Sequence, residues 1–311
     1  MGKIAFVFPG QGAQSVGMGK DAYERSERAR AVFDKADAAL GFKLSDVILN
    51  GPEEALKQTA NTQPALLTVS AALLELVGGR LQPDFVAGHS LGEYSALVAA
   101  GVMAFEDAVR TVRARGEFME AAVPGGQGAM AAVLGADRDR LAGLCAAVTA
   151  DTGTVELANV NCPGQIVVSG SASGVAAIVE RGKEAGAKRV IPLEVSGPFH
   201  SSLMKPAAQR LESVLADVAM NDAAVPVVAN ATARPVTTAA DIRGLLSEQV
   251  VSPVLWEDTV VWLIAQGVDR FVEIGSGTVL AGLIKKTDKS VRVHSVNSLE
   301  ALEALFAEEA V

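Results

Sequence analysis

Histidine and cysteine are scarce in this chain. Its 311 residues hold three histidines and two cysteines. Two thiols without a C-x-x-C spacing make no disulfide framework, and so few imidazoles exclude a His/Cys zinc site. Positive charge is also short. There are 27 Lys and Arg against 36 Asp and Glu, a net charge of −9, which excludes an overall basic surface for nucleic acid. An acidic partner would need a local basic cluster. Lys183, Lys188 and Arg189 form one, and Lys285, Lys286, Lys289 and Arg292 another; solvated surface is the plainer reading of each. No apolar run reaches transmembrane length. The apolar start at Ile4-Ala5-Phe6 is too short for a secretory signal and is closed by Pro9-Gly10, while Phe6 breaks the myristoylation pattern. The expectation is a cytoplasmic protein with neither membrane nor nucleic-acid partner.

Half of the residues are hydrophobic and thirty are glycine. That is material for one large α/β domain, or for a large domain with a smaller one inserted. Residues 4–8 are wholly apolar, as in a strand buried on both faces of a parallel sheet. Helical stretches are expected at 21–40, 52–57 and 63–77, then a strand at 84–88, and helices at 91–100 and 105–122. After Pro124-Gly125-Gly126 the pattern changes. Strands at 129–134, 155–159, 165–169 and 187–193, with helices at 138–148 and 173–185, give β-α-β-β-α-β, the ferredoxin-like order. A turn is expected at Asn161-Cys162-Pro163-Gly164. The first pattern resumes at Pro198, so the domains are read as 1–126 with 197–311, and 127–196. Strands are expected at 225–229, 270–273 and 291–296, and helices at 203–218, 241–249, 257–266 and 279–286.

Between the strand at 84–88 and the helix that follows lies Gly88-His89-Ser90-Leu91-Gly92. A serine on a tight strand-to-helix turn is pushed out of the backbone, between small residues that relieve crowding. Its hydroxyl then lies at a helix N-terminus, whose free N–H groups can stabilise developing negative charge. Ser90 is therefore a candidate nucleophile for acyl chemistry, against the reading of an ordinary glycine-bounded turn. Such a hydroxyl needs a base. His89 adjoins Ser90 and projects elsewhere. His294 lies in an alternating strand. His200 follows the rigid Gly197-Pro198-Phe199 turn at the exit of the inserted domain, and by elimination it is the candidate base. A third group should fix the imidazole tautomer, but spacing does not choose among Asp217, Asp241, Glu248 and Glu257. Gly10-x-Gly12 lacks the third glycine of a dinucleotide loop, where Ser15 stands; a backbone donor to an oxyanion is the better reading. Of Arg110, Arg113 and Arg115, one could bind a substrate carboxylate through paired hydrogen bonds, although lone helical arginines are usually solvated.

Several segments together resemble a known family. They are Phe8-Pro9-Gly10-Gln11-Gly12-Ala13-Gln14, Gly88-His89-Ser90-Leu91-Gly92-Glu93, Arg115-Gly116, Asn159 to Gln165, and Pro198-Phe199-His200-Ser201. Gln249 with Ser252-Pro253-Val254, and Glu273-Ile274-Gly275-x-Gly277, complete the series. In this order, over essentially the whole chain, they resemble malonyl-CoA:acyl-carrier-protein transacylases. The resemblance implies an α/β-hydrolase-like core with a parallel sheet and an inserted ferredoxin-like subdomain. It implies Ser90 as the acylated nucleophile, His200 as its base, and Gln249 as the residue whose main-chain carbonyl orients His200. The backbone N–H groups of Gln11 and Leu91 would form the oxyanion hole, and Arg115 would hold the malonyl carboxylate. Asn159 and Asn161 would line the cleft beside the pantetheine arm. Phe199 is the residue type of malonyl-selective relatives, as against methylmalonyl-selective ones. No cofactor is implied beyond the substrates, malonyl-CoA and holo-acyl carrier protein (an acidic, transient partner), and a monomer is expected. Two positions depart from the family pattern. Ser276 and Thr278 stand where Pro and Lys are common, so Lys285 or Lys286 would have to replace that lysine; Gly197 replaces an Ala or Val. A standalone acyltransferase serving a polyketide synthase would share every motif. A serine thioesterase or carboxylesterase would share only the serine turn, and a non-catalytic scaffold would need neither Ser90 nor His200.

Overall fold

The computed structural model describes residues 2–309. The chain opens with β1 (Lys3–Phe8), then five helices: α1 (Lys20–Arg25), α2 (Glu27–Leu40), α3 (Leu44–Asn50), α4 (Glu53–Lys57) and α5 (Thr59–Val77). Next come β2 (Phe85–Gly88), α6 (Gly92–Ala99) and α7 (Phe105–Ala121). The middle of the chain is β3 (Gly128–Leu134), α8 (Arg138–Asp151), β4 (Val155–Cys162), β5 (Gln165–Ser171), α9 (Ala172–Arg181) and β6 (Arg189–Pro192). The last third holds α10 (Lys205–Asp217), β7 (Val227–Ala229), β8 (Arg234–Val236), α11 (Ala239–Gln249), β9 (Val254–Leu255) and α12 (Trp256–Ala265). It closes with β10 (Val268–Ile274), α13 (Val279–Thr287), β11 (Arg292–Val296) and α14 (Leu299–Glu309).

These elements make a mixed α/β fold with two sheets. The first runs β11-β10-β1-β2-β7-β8. It is parallel except for β8, which pairs antiparallel with β7. The second runs β6-β3-β5-β4-β9. Its first four strands are antiparallel, and β9 joins β4 in parallel. The second sheet therefore draws its fifth strand from outside the 127–196 segment.

The alternation of β1 sorts the core. Phe6 and Phe8 face the larger apolar cluster, built with α2, α5, α6, α7 and α10. Ala5 and Val7 face the other side, against Trp256 and Leu263 of α12 and Leu280 and Ile284 of α13. Both faces are covered, as a wholly apolar strand requires. Leu141, Leu144, Val175 and Ile178 of α8 and α9 cover one face of the second sheet.

Helix α5 sets part of the site. It is buried along most of its length, with Pro64 inside it. Proline lacks the N–H that would bond the carbonyl four residues back. That carbonyl, of Ala60, accepts instead from Arg113 Nη1 of α7 at 3.1 Å. The helix start is tied to α7 a second time, where Thr59 N–H donates to Glu120 Oε1 at 2.6 Å.

Several elements differ from the sequence reading. The stretch at 21–40 is broken at Ser26, whose hydroxyl caps α2 by accepting from Ala29 N–H. Helix α5 starts at Thr59 rather than 63, the tie to α7 outweighing the internal proline. β4 continues through Asn161 and Cys162, so the turn is Pro163-Gly164 alone. The 173–185 helix ends at Arg181 and tightens into a 3-10 turn over Gly182–Ala185. The expected helix at 203 begins as a 3-10 turn over Ser202–Met204. α3, β8, β9 and α14 had no sequence expectation; three of them are short, and α14 follows the last strand.

Candidate active site

Ser90 sits at the end of β2, where the chain turns into α6. Its φ is 52°, a left-handed value that a side chain rarely adopts. Two close approaches force the turn. A Cβ on Gly88 would lie 1.9 Å from the Gly92 carbonyl carbon, and one on Gly92 would lie 2.1 Å from the Phe8 oxygen. Only glycine fits either place. Asn230, just after β7, clamps the turn from the side. Its Oδ1 accepts from Ser90 N–H at 2.6 Å, and its Nδ2 donates to the Gly88 carbonyl at 2.7 Å.

His200 comes from the loop before α10, again with left-handed backbone, φ 56°. Its Nδ1–H donates to the Gln249 carbonyl at 2.9 Å. A carbonyl only accepts, so this bond fixes the tautomer and leaves the Nε2 lone pair free. The Ser90 hydroxyl donates to that lone pair at 2.7 Å. Burial, with the nearby Arg115 guanidinium, pushes the imidazole down to about 3. His200 is therefore neutral at ordinary pH, the form a base needs.

Arg115 reaches the site from the buried face of α7 and is 1% exposed. Its Nη1 donates to Gln63 Oε1 at 2.7 Å. Its Nη2 donates to Gln249 Oε1 at 3.0 Å and to Ser90 Oγ at 3.1 Å. Among the described residues its Nε has no acceptor. The Gln249 side-chain amide donates to the Ser90 carbonyl at 3.0 Å and to Glu93 Oε2 at 2.7 Å. Gln249 thus reaches the serine through its side chain and the histidine through its main chain. Glu93 also accepts from Asn230 N–H at 3.0 Å, and burial raises it to about 7.

Of these groups Gln63, Ser90, Arg115 and His200 line one cleft of about 290 Å³. Gln11, Leu91, Asn159, Asn161 and Phe199 line it too. Gln11 and Leu91 come from the loops after β1 and β2, and among the described residues neither backbone N–H donates to a protein acceptor. The ring of His89 packs near Trp256 and hydrogen-bonds Asn161 Oδ1 through Nε2 at 2.8 Å. It points away from Ser90, as its place in the turn implies. His294 lies on edge strand β11, with Nδ1 3.5 Å from Glu308. Arg110 and Arg113 pair with Asp107 and Glu117 on the outer part of α7. Lys286 Nζ reaches Gln165 Oε1 of the cleft lining at 3.1 Å, whereas Lys285 Nζ turns to the Val291 carbonyl. Among the described residues no group of three or more His, Cys, Asp or Glu gathers as a metal site, and no helix is long and apolar enough to cross a membrane.

None of the four acidic candidates takes the third position; the Gln249 carbonyl does. Spacing could not show this, because every residue has a carbonyl. The sequence reading also assigned no role to Gln63, Glu93 or Asn230. Gln63 had a faint signal, a polar side chain directly before a proline on an apolar helix. Asn230 had none.

The arrangement fits nucleophilic acyl chemistry next to a cation. Residues 5–304 match the family model described as the acyl transferase domain. The malonyl CoA-acyl carrier protein transacylase of Bacillus subtilis is 55% identical over 304 residues, 97% of this chain and 96% of that protein. That of Staphylococcus aureus (strain MRSA252) is 49% identical over 300 residues, 96% and 97%. An acyl-carrier-protein-S-malonyltransferase crystal structure from Bartonella henselae superposes with a TM-score of 0.96 at 44% identity, covering 100% of both chains. A malonyl-transacylase in complex with a type II PKS acyl-carrier protein gives 0.95 at 40%, covering 98% and 99%. The chain belongs to the acyl transferase domain family, among its malonyl CoA-acyl carrier protein transacylases.

Proposed function

We propose that the protein moves a malonyl group from malonyl-CoA to the phosphopantetheine thiol of an acyl carrier protein, and so supplies fatty acid synthesis. The single observation that carries this reading is the join of two features at one atom. Ser90 Oγ lies 2.7 Å from a neutral imidazole and 3.1 Å from a buried guanidinium. The first suits acyl transfer and the second suits an acyl group that ends in a carboxylate.

The reaction has two halves. His200 Nε2 takes the Ser90 proton as Oγ attacks the thioester carbon, and the carbonyl electrons move to oxygen. The N–H groups of Gln11 and Leu91 receive that oxyanion, each worth roughly 3 kcal/mol by comparison with known donors of this kind. Collapse breaks the carbon–sulfur bond, and the proton passes from His200 to the coenzyme A sulfur. The carrier's thiol then gives its proton to His200 and attacks the malonyl-serine, and Ser90 leaves with that proton. Gln249 keeps His200 in the required tautomer throughout. Arg115 holds the carboxylate through Nη2 and the free Nε, which lie on the guanidinium edge suited to paired bonds. Asn159 and Asn161 face the pantetheine arm, and Phe199 walls the acyl side beside the base.

The same reading covers the architecture. Residues 127–196 form a ferredoxin-like subdomain, supported by the β6-β3-β5-β4 strand order. Residues 1–126 and 197–311 form an α/β-hydrolase-like core, supported by the serine turn at the C-terminal end of a parallel strand. The protein acts as a cytoplasmic monomer without a cofactor. Mass spectrometry of the intact protein, mixed briefly with malonyl-CoA, tests the function. A malonyl adduct is expected on the wild type, absent from Ser90→Ala, and discharged by holo-acyl carrier protein. Free malonate without an adduct would mean a hydrolase instead.

A further inference from the structure

Among the described residues no carboxylate touches Arg115; Glu93 acts on its charge only from a distance. The hydrogen-bond partners of Arg115 are the side-chain carbonyls of Gln63 and Gln249 and the hydroxyl of Ser90. The Tyr94 ring centre lies 5.7 Å from the guanidinium carbon. All four groups are uncharged. Among the described residues no ion pair includes Arg115, although it is 1% exposed. The nearby carboxyl, Glu93, turns its Oε2 to Gln249 Nε2 and Asn230 N–H. A buried guanidinium ordinarily has a carboxylate partner, because an unpaired charge out of water is costly.

Gln63 is the place where such a partner would fit. Its Oε1 stands 2.7 Å from Arg115 Nη1, a normal distance for a carboxylate oxygen as well. A glutamate there would need one atom changed and would cancel the charge. We infer that Gln63 is a specificity-determining residue: as an uncharged acceptor it aims Arg115 and leaves its charge for an acyl group bearing its own carboxylate. The inference rests on the acyl-transfer reading and deepens it. A carboxylated acyl group completes the missing ion pair, whereas a neutral one leaves the cation buried and unpaired. Discrimination then comes as much from the penalty on the wrong substrate as from attraction of the right one.

The test is the ratio of adduct-forming rates with malonyl-CoA and acetyl-CoA, in the wild type, Gln63→Glu and Gln63→Met. The proposal expects the malonyl-to-acetyl ratio to fall about a hundredfold in Gln63→Glu, with the loss on the malonyl side in KM. In Gln63→Met, which removes the acceptor but adds no charge, the ratio should fall less than about tenfold. A ratio within about threefold of wild type in a folded Gln63→Glu would overturn it. Equal falls in both variants would also overturn it, since position and not charge would then be at work. If circular dichroism shows Gln63→Glu unfolded, Gln63→Met decides, because loss of preference there contradicts the inference. A wild type that forms no malonyl adduct would be a different failure, that of the transferase reading itself.

Discussion

His200 is a histidine that the fold keeps from protonating. Burial and Arg115 push it down to about 3, against 6.5 for the free side chain. As the proposed base it is active when neutral. Formation of malonyl-Ser90 should therefore show no His200 step near 6.5; in a Glu93→Gln variant, which removes the carboxyl that burial raises to about 7, it should stay level between about pH 5 and 8 and decline only as the pH falls toward 3. Stopped-flow acylation across that range checks it; a half-maximal rate at pH 6 to 7 in that variant would contradict the geometry. Stability carries the matching sign. The unfolded chain binds a proton below 6.5 that folded His200 refuses, so its contribution is complete above 6.5 and is lost as the pH falls from there toward 3. At this scale the sequence was legible where a residue type is rare or a turn is constrained. Three histidines allowed an elimination, and the serine turn announced itself by its glycines. What a main-chain carbonyl does, or an asparagine 140 positions from the serine it clamps, leaves no local mark.

Two helices aim the guanidinium, and their join can be broken without touching the cleft. Arg113 supplies the hydrogen bond that Pro64 takes from the Ala60 carbonyl, and it also holds Asn61. Both contacts lie in the first turns of α5, just before Gln63. Arg113→Ala should cost about 1–2 kcal/mol in stability and loosen the turn that positions Arg115. Its malonyl-CoA KM should rise several-fold while kcat changes less. Urea denaturation with steady-state kinetics reads both; unchanged KM in a destabilised variant would show that α5 holds Gln63 by other means. Periodicity found most elements, because a covered sheet needs wholly apolar strands and its helices need one apolar face. It failed where tertiary contacts decide. The start of α5 is fixed by Glu120 and Arg113 of another helix, and β9 is two residues long, a strand only because β4 lies beside it.

That short strand ties the molecule together. Asn159 and Val160 of β4 pair with Val254 and Leu255, and Leu255 N–H donates to the carbonyl of Asn230, the serine clamp. Arg138 of α8 also pairs with Asp258 of α12 at 2.9 Å. Chain order suggests an insert that could come loose; the hydrogen bonds join it to the segment that orients His200. Calorimetry should therefore give one unfolding transition for the whole chain. Two resolved transitions would mean that residues 127–196 melt by themselves. A last consequence comes from the backbone. Among the described residues three non-glycine positions have left-handed φ, and Ser90 and His200 are two of them; the third, Ala233, ends the tight turn beside Asn230. Strip every side chain and the trace would still mark the proposed place of reaction, because there the chain accepts conformations that residues with a Cβ avoid. An engineer ranking positions by backbone comfort alone would replace these two first, and would gain rigidity by erasing the chemistry.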